Sequence, residues 1–463
     1  MSSFADSLPL PPSHSGEPFS LPLAHPDPAA RPVPPKDLAP DQQDKLARII
    51  AHWNQPSFTL PNSLKVLKAR WAKDGSGGGS RFGGLFGRSA TPSNEEMADV
   101  HPLSDVEKCY WSSQAFLRCF RAVKWDYAAA LRRAEETAVW RREYGVEEMK
   151  EADVWPEGET GKELVFGFDV NCRPVLYMHP YRQNTEVGPR QIAFVVWCLE
   201  RTIDLAPPTD PATEMLCLCI DFGANLKDAK GQPTTLGQAR KVLEILQTYY
   251  CERLGKAVCV NIPQIFFAFY KLVSPFVDPI TKEKIRFLDK ADATALIPPQ
   301  QLQKIFGGDV NLVYDHATYF PALTKLCMER KAANLERWRQ YGGGKCGLDE
   351  AIIRGGRIPG QETRAPAGVA TVEADVVAGT SPDEAVQRGD GADADFEPPT
   401  AQLAAASLAD DGGAVATSSS SASDSTVAVP PAQAQSPGVA DDKFVDAPVA
   451  PAAAVDRAVP AAH

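Results

Sequence analysis

Three short β-rich runs, at residues 173–178, 215–222 and 257–262, are separated by segments of helical periodicity at 190–205 and 236–250. Two parallel strands cannot be joined by a tight turn, and a helix supplies the crossover that brings the chain back to the same edge. Strand and helix in alternation therefore predict an α/β fold with a mostly parallel sheet. Ahead of it the sequence is helical. Ser104 with Glu107 forms a capping-box pair, and Trp111, Phe116, Leu117 and Phe120 then recur at helical spacing. Asp126 caps a second helix, which carries Ala130, Leu131, Ala134, Ala138, Val139 and Trp140 and stops at Gly145. Residues 104–150 are read as an N-terminal helical subdomain and 151–342 as the sheet domain.

The flanks read differently. Residues 1–40 carry proline at almost every third or fourth position and are expected to be disordered or extended. In 41–53, Leu46, Ile49, Ile50 and Trp53 share one helical face, and 63–71 repeats the pattern, so 41–73 is expected as short helices packed on the core. The glycine-rich stretch within 74–103 is not preceded by a strand or followed by Gly-Lys-Ser/Thr, and it is read as a loop rather than a phosphate cradle. From 350 onward Ala, Pro, Ser, Asp and Gly dominate with almost no aromatic residue. Such a segment cannot bury enough apolar surface to offset its ordering entropy, so 350–463 is expected as a disordered acidic tail.

Charge narrows the partners. From residue 361 the chain has sixteen acidic residues against four basic ones, which leaves the first 360 residues near neutral although the whole chain is −11. A near-neutral folded part argues against nucleic acid, which needs a concentrated basic face. The ten cysteines include no CxxC pair and lie in apolar contexts such as 215–220, so they are read as buried hydrophobes of a reduced, cytosolic protein without a metal site. No run of about 20 apolar residues occurs, so membrane contact is expected to be transient and peripheral. Gly-x-Ser-x-Gly, His-Glu-x-x-His and a dinucleotide-type Gly-x-Gly-x-x-Gly are all missing, and an enzyme is not expected.

The segment 261–279 is helical in length, yet Ile265, Phe266, Phe267, Phe269, Tyr270, Leu272 and Val273 occupy all its sides. A buried core helix has this composition, and so does a helix that covers a lipid pocket when closed and meets bilayer when open. Charged and hydroxyl residues bracket it, at 249–257 and 278–287.

These stretches, with FLRCFRAVKWD at 116–126, WRREYG at 140–145 and FGG at 306–308, resemble the CRAL-TRIO family, and within it the fungal phosphatidylinositol transfer proteins of the yeast secretory type. RQNT at 182–185 and ILQT at 245–248 resemble their pleiotropic-drug-resistance branch. The resemblance implies a helical subdomain followed by a lipid-binding domain whose sheet floors a hydrophobic pocket, with 262–277 as a mobile gate. It implies that Glu252 and Asp278 accept bonds from inositol hydroxyls and that Thr281 and Lys284 hold the headgroup phosphate, with Arg253 and Lys124 as further candidates. A surface ion pair is the competing reading for each charged residue. Gly307 and Gly308 serve as a hinge or as a plain tight turn.

Three departures from the family pattern matter. Val123 stands where many relatives carry a second basic residue, and Cys251 where they usually have proline. Relatives that also carry phosphatidylcholine place Ser and Thr at the positions of Leu216 and Leu218. Alternate strand residues share a face, so Leu216, Leu218 and Ile220 would present an apolar wall. The resemblance thus implies a monomeric carrier that exchanges phosphatidylinositol between membranes, poor at phosphatidylcholine, with the bound phospholipid as ligand and no cofactor. It implies a cytoplasmic protein peripherally associated with endoplasmic reticulum, lipid droplet or cell periphery. A carrier of a sterol or other flat hydrophobic ligand, and a lipid-regulated scaffold for a signalling protein, are the alternatives.

Overall fold

The computed structural model describes residues 3–12, 16–73, 92–223, 235–262, 274–277, 282, 284–287 and 290–360. Its N-terminal arm begins with the single turn α1 (Phe4–Ser7), and its other described residues up to 39 form no helix. Proline excludes helix and ladder here but does not exclude packing. Phe19 forms a parallel bridge with Leu312; its N–H donates to the Asn311 carbonyl at 3.0 Å, and its own carbonyl accepts from Val313 at 2.9 Å. Its ring meets Phe166 edge-on at 6.1 Å, and Leu23 and Ala24 are buried with it. Of the two expectations for 1–40, disordered or extended, the described residues show an extended strap that is ordered, because a few apolar anchors suffice to dock an extended chain. Phe19→Ala is expected to cost about 3–5 kcal/mol, as for other buried Phe truncations, read as a shift of the urea midpoint; no shift would mean that the arm is not docked.

The helical subdomain follows from local signals. Helix α2 (Pro40–Trp53) leads through β1 (Leu60–Pro61) to α3 (Leu64–Lys73). Within the stretch read as a glycine-rich loop, 74–91 lies outside the described residues, but α4 (Asn94–Ala98) and β2 (Val100–His101) are ordered, and β2 pairs antiparallel with β1. Helix α5 (Asp105–Tyr110) opens on the Ser104–Glu107 capping box, and α6 (Ser113–Ala122) on Ser112. Helix α7 (Tyr127–Tyr144) is capped by Asp126, whose carboxylate accepts from the Ala129 N–H at 2.7 Å, and it closes on Gly145 at φ +69°, a backbone angle that glycine adopts without steric cost. The rings of Trp53, Trp111 and Phe116 pack with centroids within 5.2 Å of one another and join α2 to the helices behind it.

The second core lies around the sheet. After α8 (Glu151–Gly158) come β3 (Glu163–Phe168), β4 (Pro174–Met178), α9 (Pro189–Asp204), β5 (Leu216–Asp221), α10 (Leu236–Tyr249), β6 (Leu254–Val260) and β7 (Ile285–Phe287). The sheet order is β3-β4-β5-β6-β7; β3 and β4 form an antiparallel hairpin, and every other pairing is parallel. Strands β3 and β7 escape the alternation read from the sequence. The first is a hairpin partner, and the second has three residues, too short for a periodicity. Helix α11 (His316–Gly342) meets β3 through Tyr319, whose hydroxyl accepts from the Val165 N–H at 2.9 Å and donates to the Val165 carbonyl.

The expected tail does not begin at 350. Helix α12 (Glu350–Arg354) is buried, and residues through 360 belong to the fold. The reason is a charge network that composition hides. The Glu350 carboxylate accepts from Arg118 at 3.0 Å and from Arg354 at 2.6 Å, while Arg118 also reaches Glu214 at 3.1 Å. Residues 361–463 lie outside the described part.

Candidate functional site

In a parallel ladder, paired residues project to the same side of the sheet. One row reads Leu176, Leu218, Ala257, Ile285 from β4 to β7, and the next Met178, Ile220, Cys259, Phe287. The hairpin adds Val165 and Glu163 to the two rows. On the opposite face Val175, Tyr177, Cys217, Cys219, Val258 and Val260 are fully buried, sealed by the segment that carries Ile297, Leu302, Phe306 and Val310, with Phe306 5.0 Å from Tyr177. The first face is less closed: Leu218, Ile220, Met178 and Ile285 are half-buried and Phe287 is exposed. Leu216, Leu218 and Ile220 thus form the apolar strip of β5, while its cysteines point to the sealed side.

Helix α9 packs on the β3–β4 end of this face, and α10 packs against α9 and α7. The end of the segment read as a gate touches α10: Gln247 donates to the Phe276 carbonyl at 2.8 Å, and the Arg240 guanidinium lies 4.4 Å from the Phe276 ring centre. Ile265, Phe266, Phe267, Phe269, Tyr270, Leu272 and Val273 lie outside the described residues, as do Asp278 and Thr281.

Glu252 and Lys284, 32 positions apart in the chain, come together at the N-terminal ends of β6 and β7, with Nζ 3.8 Å from the carboxylate and each side chain about a fifth exposed. Glu252 sits in the turn between α10 and β6 at φ +58°, in the left-handed region that residues other than glycine rarely adopt. Such backbone strain persists where surrounding structure imposes it, often at ligand sites. Lys124 shares this conformation at φ +52°, is exposed, and makes no ion pair among the described residues.

Arg253, read as a headgroup candidate, is placed elsewhere. Its side chain turns inward, donates to the Glu214 carbonyl at 2.9 Å, and lies 3.9 Å from the Glu350 carboxylate in the buried network. An arginine directly after a surface turn can face either way, and the sequence does not say which. Gly307 and Gly308 form a packed tight turn: Gly307 has φ +91°, and a Cβ on Gly308 would meet the Leu302 carbonyl oxygen at 2.1 Å. The left-handed φ of Gly307 and the close packing at Gly308 account for the two glycines as a tight turn.

One residue escaped the sequence reading. Glu163 begins β3 on the half-open face. Burial pushes its carboxyl up to about 7, with Lys162 and a hydrogen bond to Cys198 pulling the other way, and one of its oxygens has no partner among the described residues. A lone glutamate at a strand start carries no signal of burial. Among the described residues no cluster of His, Cys, Asp and Glu suits a metal, and no helix is long and apolar enough to cross a membrane.

Residues 158–308 match the CRAL/TRIO domain family. Over 329 residues the chain is 32% identical to the phosphatidylinositol transfer protein PDR17 of Saccharomyces cerevisiae, covering 69% of this chain and 85% of that protein. It is 42% identical over 254 residues to a CRAL-TRIO domain-containing protein of Schizosaccharomyces pombe; the match covers 55% of this chain and spans only 24% of that longer relative. Among solved structures, Sfh5 aligns at 18% identity with a TM-score of 0.31, covering 37% of this chain and 63% of that one.

Proposed function

The chain belongs to the CRAL-TRIO family, and on that premise we propose that it binds phosphatidylinositol in a pocket floored by the half-open sheet face and exchanges it between membranes. The observation that carries this reading is the Glu252–Lys284 pair standing at the end of the apolar strip Leu216, Leu218 and Ile220. A phospholipid needs both: an apolar wall for its chains, and acceptors and a cation for a polyol and a phosphate. In this reading Glu252 and Asp278 accept from inositol hydroxyls, Lys284 and Thr281 hold the phosphate, and Lys124 is a second cation for it. The protein acts as a carrier and not as a catalyst, as a monomer without a cofactor, in the cytoplasm with peripheral visits to membranes.

The energetics explain why a carrier is needed. Two acyl chains bury on the order of 30 methylene groups, roughly 24 kcal/mol at about 0.8 each, so escape into water is prohibitively slow. A pocket as apolar as the bilayer makes the exchange nearly isoenergetic, and a gate at 262–277 then sets the rate. With leucines in place of hydroxyls on β5, a choline headgroup lipid finds no donors there. Phosphatidylcholine is expected to move between vesicles about five- to thirtyfold more slowly than phosphatidylinositol, as one or two missing hydrogen bonds near 1 kcal/mol each would give. Equal rates would refute this selectivity.

Native mass spectrometry with lipid extraction on protein from a eukaryotic host tests the reading: phosphatidylinositol supports it, and an empty pocket or another cargo opposes it. Glu163 favours a second reading. A carboxyl that burial raises to about 7, with one oxygen unpartnered among the described residues, suits the hydroxyl of a sterol or another flat hydrophobic ligand, and recovery of such a molecule would favour that reading.

A further inference from the structure

Cys251 immediately precedes Glu252 in the turn that ends α10, and Cys119 lies on the buried face of α6. The two thiols line one small cavity together with Arg118, Tyr249, Tyr250 and Arg253. Cys119 is buried, whereas Cys251 is half-buried and is the less enclosed of the two. Arg133 is fixed beside them, donating to the carbonyls of Gln247 and Thr248 at 2.9 and 3.1 Å. The neighbouring Cys119 thiol, with Arg133 and Arg118 nearby, brings the Cys251 thiol down to about 7 against the effect of burial. Seven other cysteines are pushed upward by burial. A thiol of lowered pKa beside a second thiol that can resolve it is the arrangement that hydroperoxides oxidise selectively.

We propose that Cys251 and Cys119 form a dithiol modification site, oxidised by hydroperoxides to a disulfide that ties the turn before β6 to α6 and holds the Glu252 loop in place. In the first step the Cys251 thiolate attacks one peroxide oxygen. The O–O bond breaks, a sulfenic acid forms, and the departing hydroxide takes up a proton as water. The Cys119 sulfur then attacks the Cys251 sulfur; the S–S bond forms, the S–OH bond breaks, and hydroxide leaves with the Cys119 proton as a second water. A dithiol reductant reverses the change. The bond itself does not depend on the lipid reading, but its effect on exchange does, because the loop it immobilises carries Glu252.

The full chain, reduced and then exposed to hydrogen peroxide, is to be digested with trypsin without reductant. The expected product links the peptide over 119–121 to that over 242–253, two hydrogens lighter than the separate peptides, and it is missing from Cys119→Ser and Cys251→Ser chains. Recovery of Cys251 unlinked, or linked to another cysteine, would overturn the site. In the reduced wild-type chain, which needs no variant to fold, Cys251 is expected to react with iodoacetamide at pH 7 at least about tenfold faster than the other thiols, since thiolate fraction sets the rate. A rate no faster than theirs would also overturn it. Oxidation is further expected to slow phosphatidylinositol exchange several-fold, with recovery in dithiothreitol and no response in Cys251→Ser. A linked peptide with unchanged exchange would refute the regulatory effect. A chain that carries no phosphatidylinositol would refute the lipid reading and leave the peptide result to decide the dithiol.

Discussion

A chain carrying Glu252→Ala and Lys284→Ala is expected to be recovered without phosphatidylinositol and to exchange that lipid at least about tenfold more slowly than the wild type. Hydrogen bonds to charged groups are worth about 1.5–3 kcal/mol each, and about 1.4 kcal/mol is a factor of ten. The lower end of that range is the better guide, because the two side chains already satisfy one another at 3.8 Å before any ligand arrives. The double substitution also keeps the fold comparable. Removing one partner strands the other charge, whereas removing both members of a partly exposed pair changes stability by about 1 kcal/mol or less. The assay is lipid extraction beside vesicle-to-vesicle transfer, with the urea midpoint as control. Retention of phosphatidylinositol at wild-type level with an unchanged midpoint would remove these residues from the headgroup site.

Glu350→Ala is expected to destabilise the protein by about 3–5 kcal/mol at neutral pH, the usual effect of removing one member of a buried ionic cluster. The carboxylate accepts from Arg118 and Arg354, with Arg253 close by, and its loss leaves three guanidinium groups with too little negative charge in the interior. Burial alone would raise its pKa, but Arg118, Arg354 and Arg253 outweigh burial and hold it below the ordinary 4.5. A carboxyl whose folded pKa is depressed stabilises the fold fully above its unfolded value and loses that contribution as pH falls through the folded value. The gap between wild type and Glu350→Ala in denaturant midpoint is therefore expected to be full at pH 7 and to narrow below about pH 4.5. A chain ending at 349 is expected to lose as much stability, while one ending at 360 retains the described network and the wild-type midpoint. Equal midpoints for the two truncations would show that α12 contributes nothing.

The sequence was legible where a signal is local. The capping box at Ser104 and Glu107, the cap at Asp126 and the stop at Gly145 are read from neighbouring residues, and the helices start and end there. Strands β4, β5 and β6 announced themselves through β-rich composition within a few residues of their observed bounds. Strand β3 did not, because its hairpin lies outside the strand–helix alternation. The alternation of Leu216, Leu218 and Ile220 with the cysteines of β5 could be written down from the period of two, but which face would be sealed could not.

What the sequence determined by itself was the class of fold, the order of its helical and sheet parts and the family to which it belongs, because those rest on periodicity and on motifs short enough to be read along the chain. Tertiary structure alone decided that the proline-rich arm is strapped onto the core at Phe19, that Arg253 serves the interior while Glu252 meets Lys284, and that Glu350 anchors a buried helix instead of opening a tail. Each of these is a pairing between distant positions. A charged or apolar side chain gains free energy from the partner it meets in space, and one-dimensional composition records what a residue can do without recording what stands opposite it.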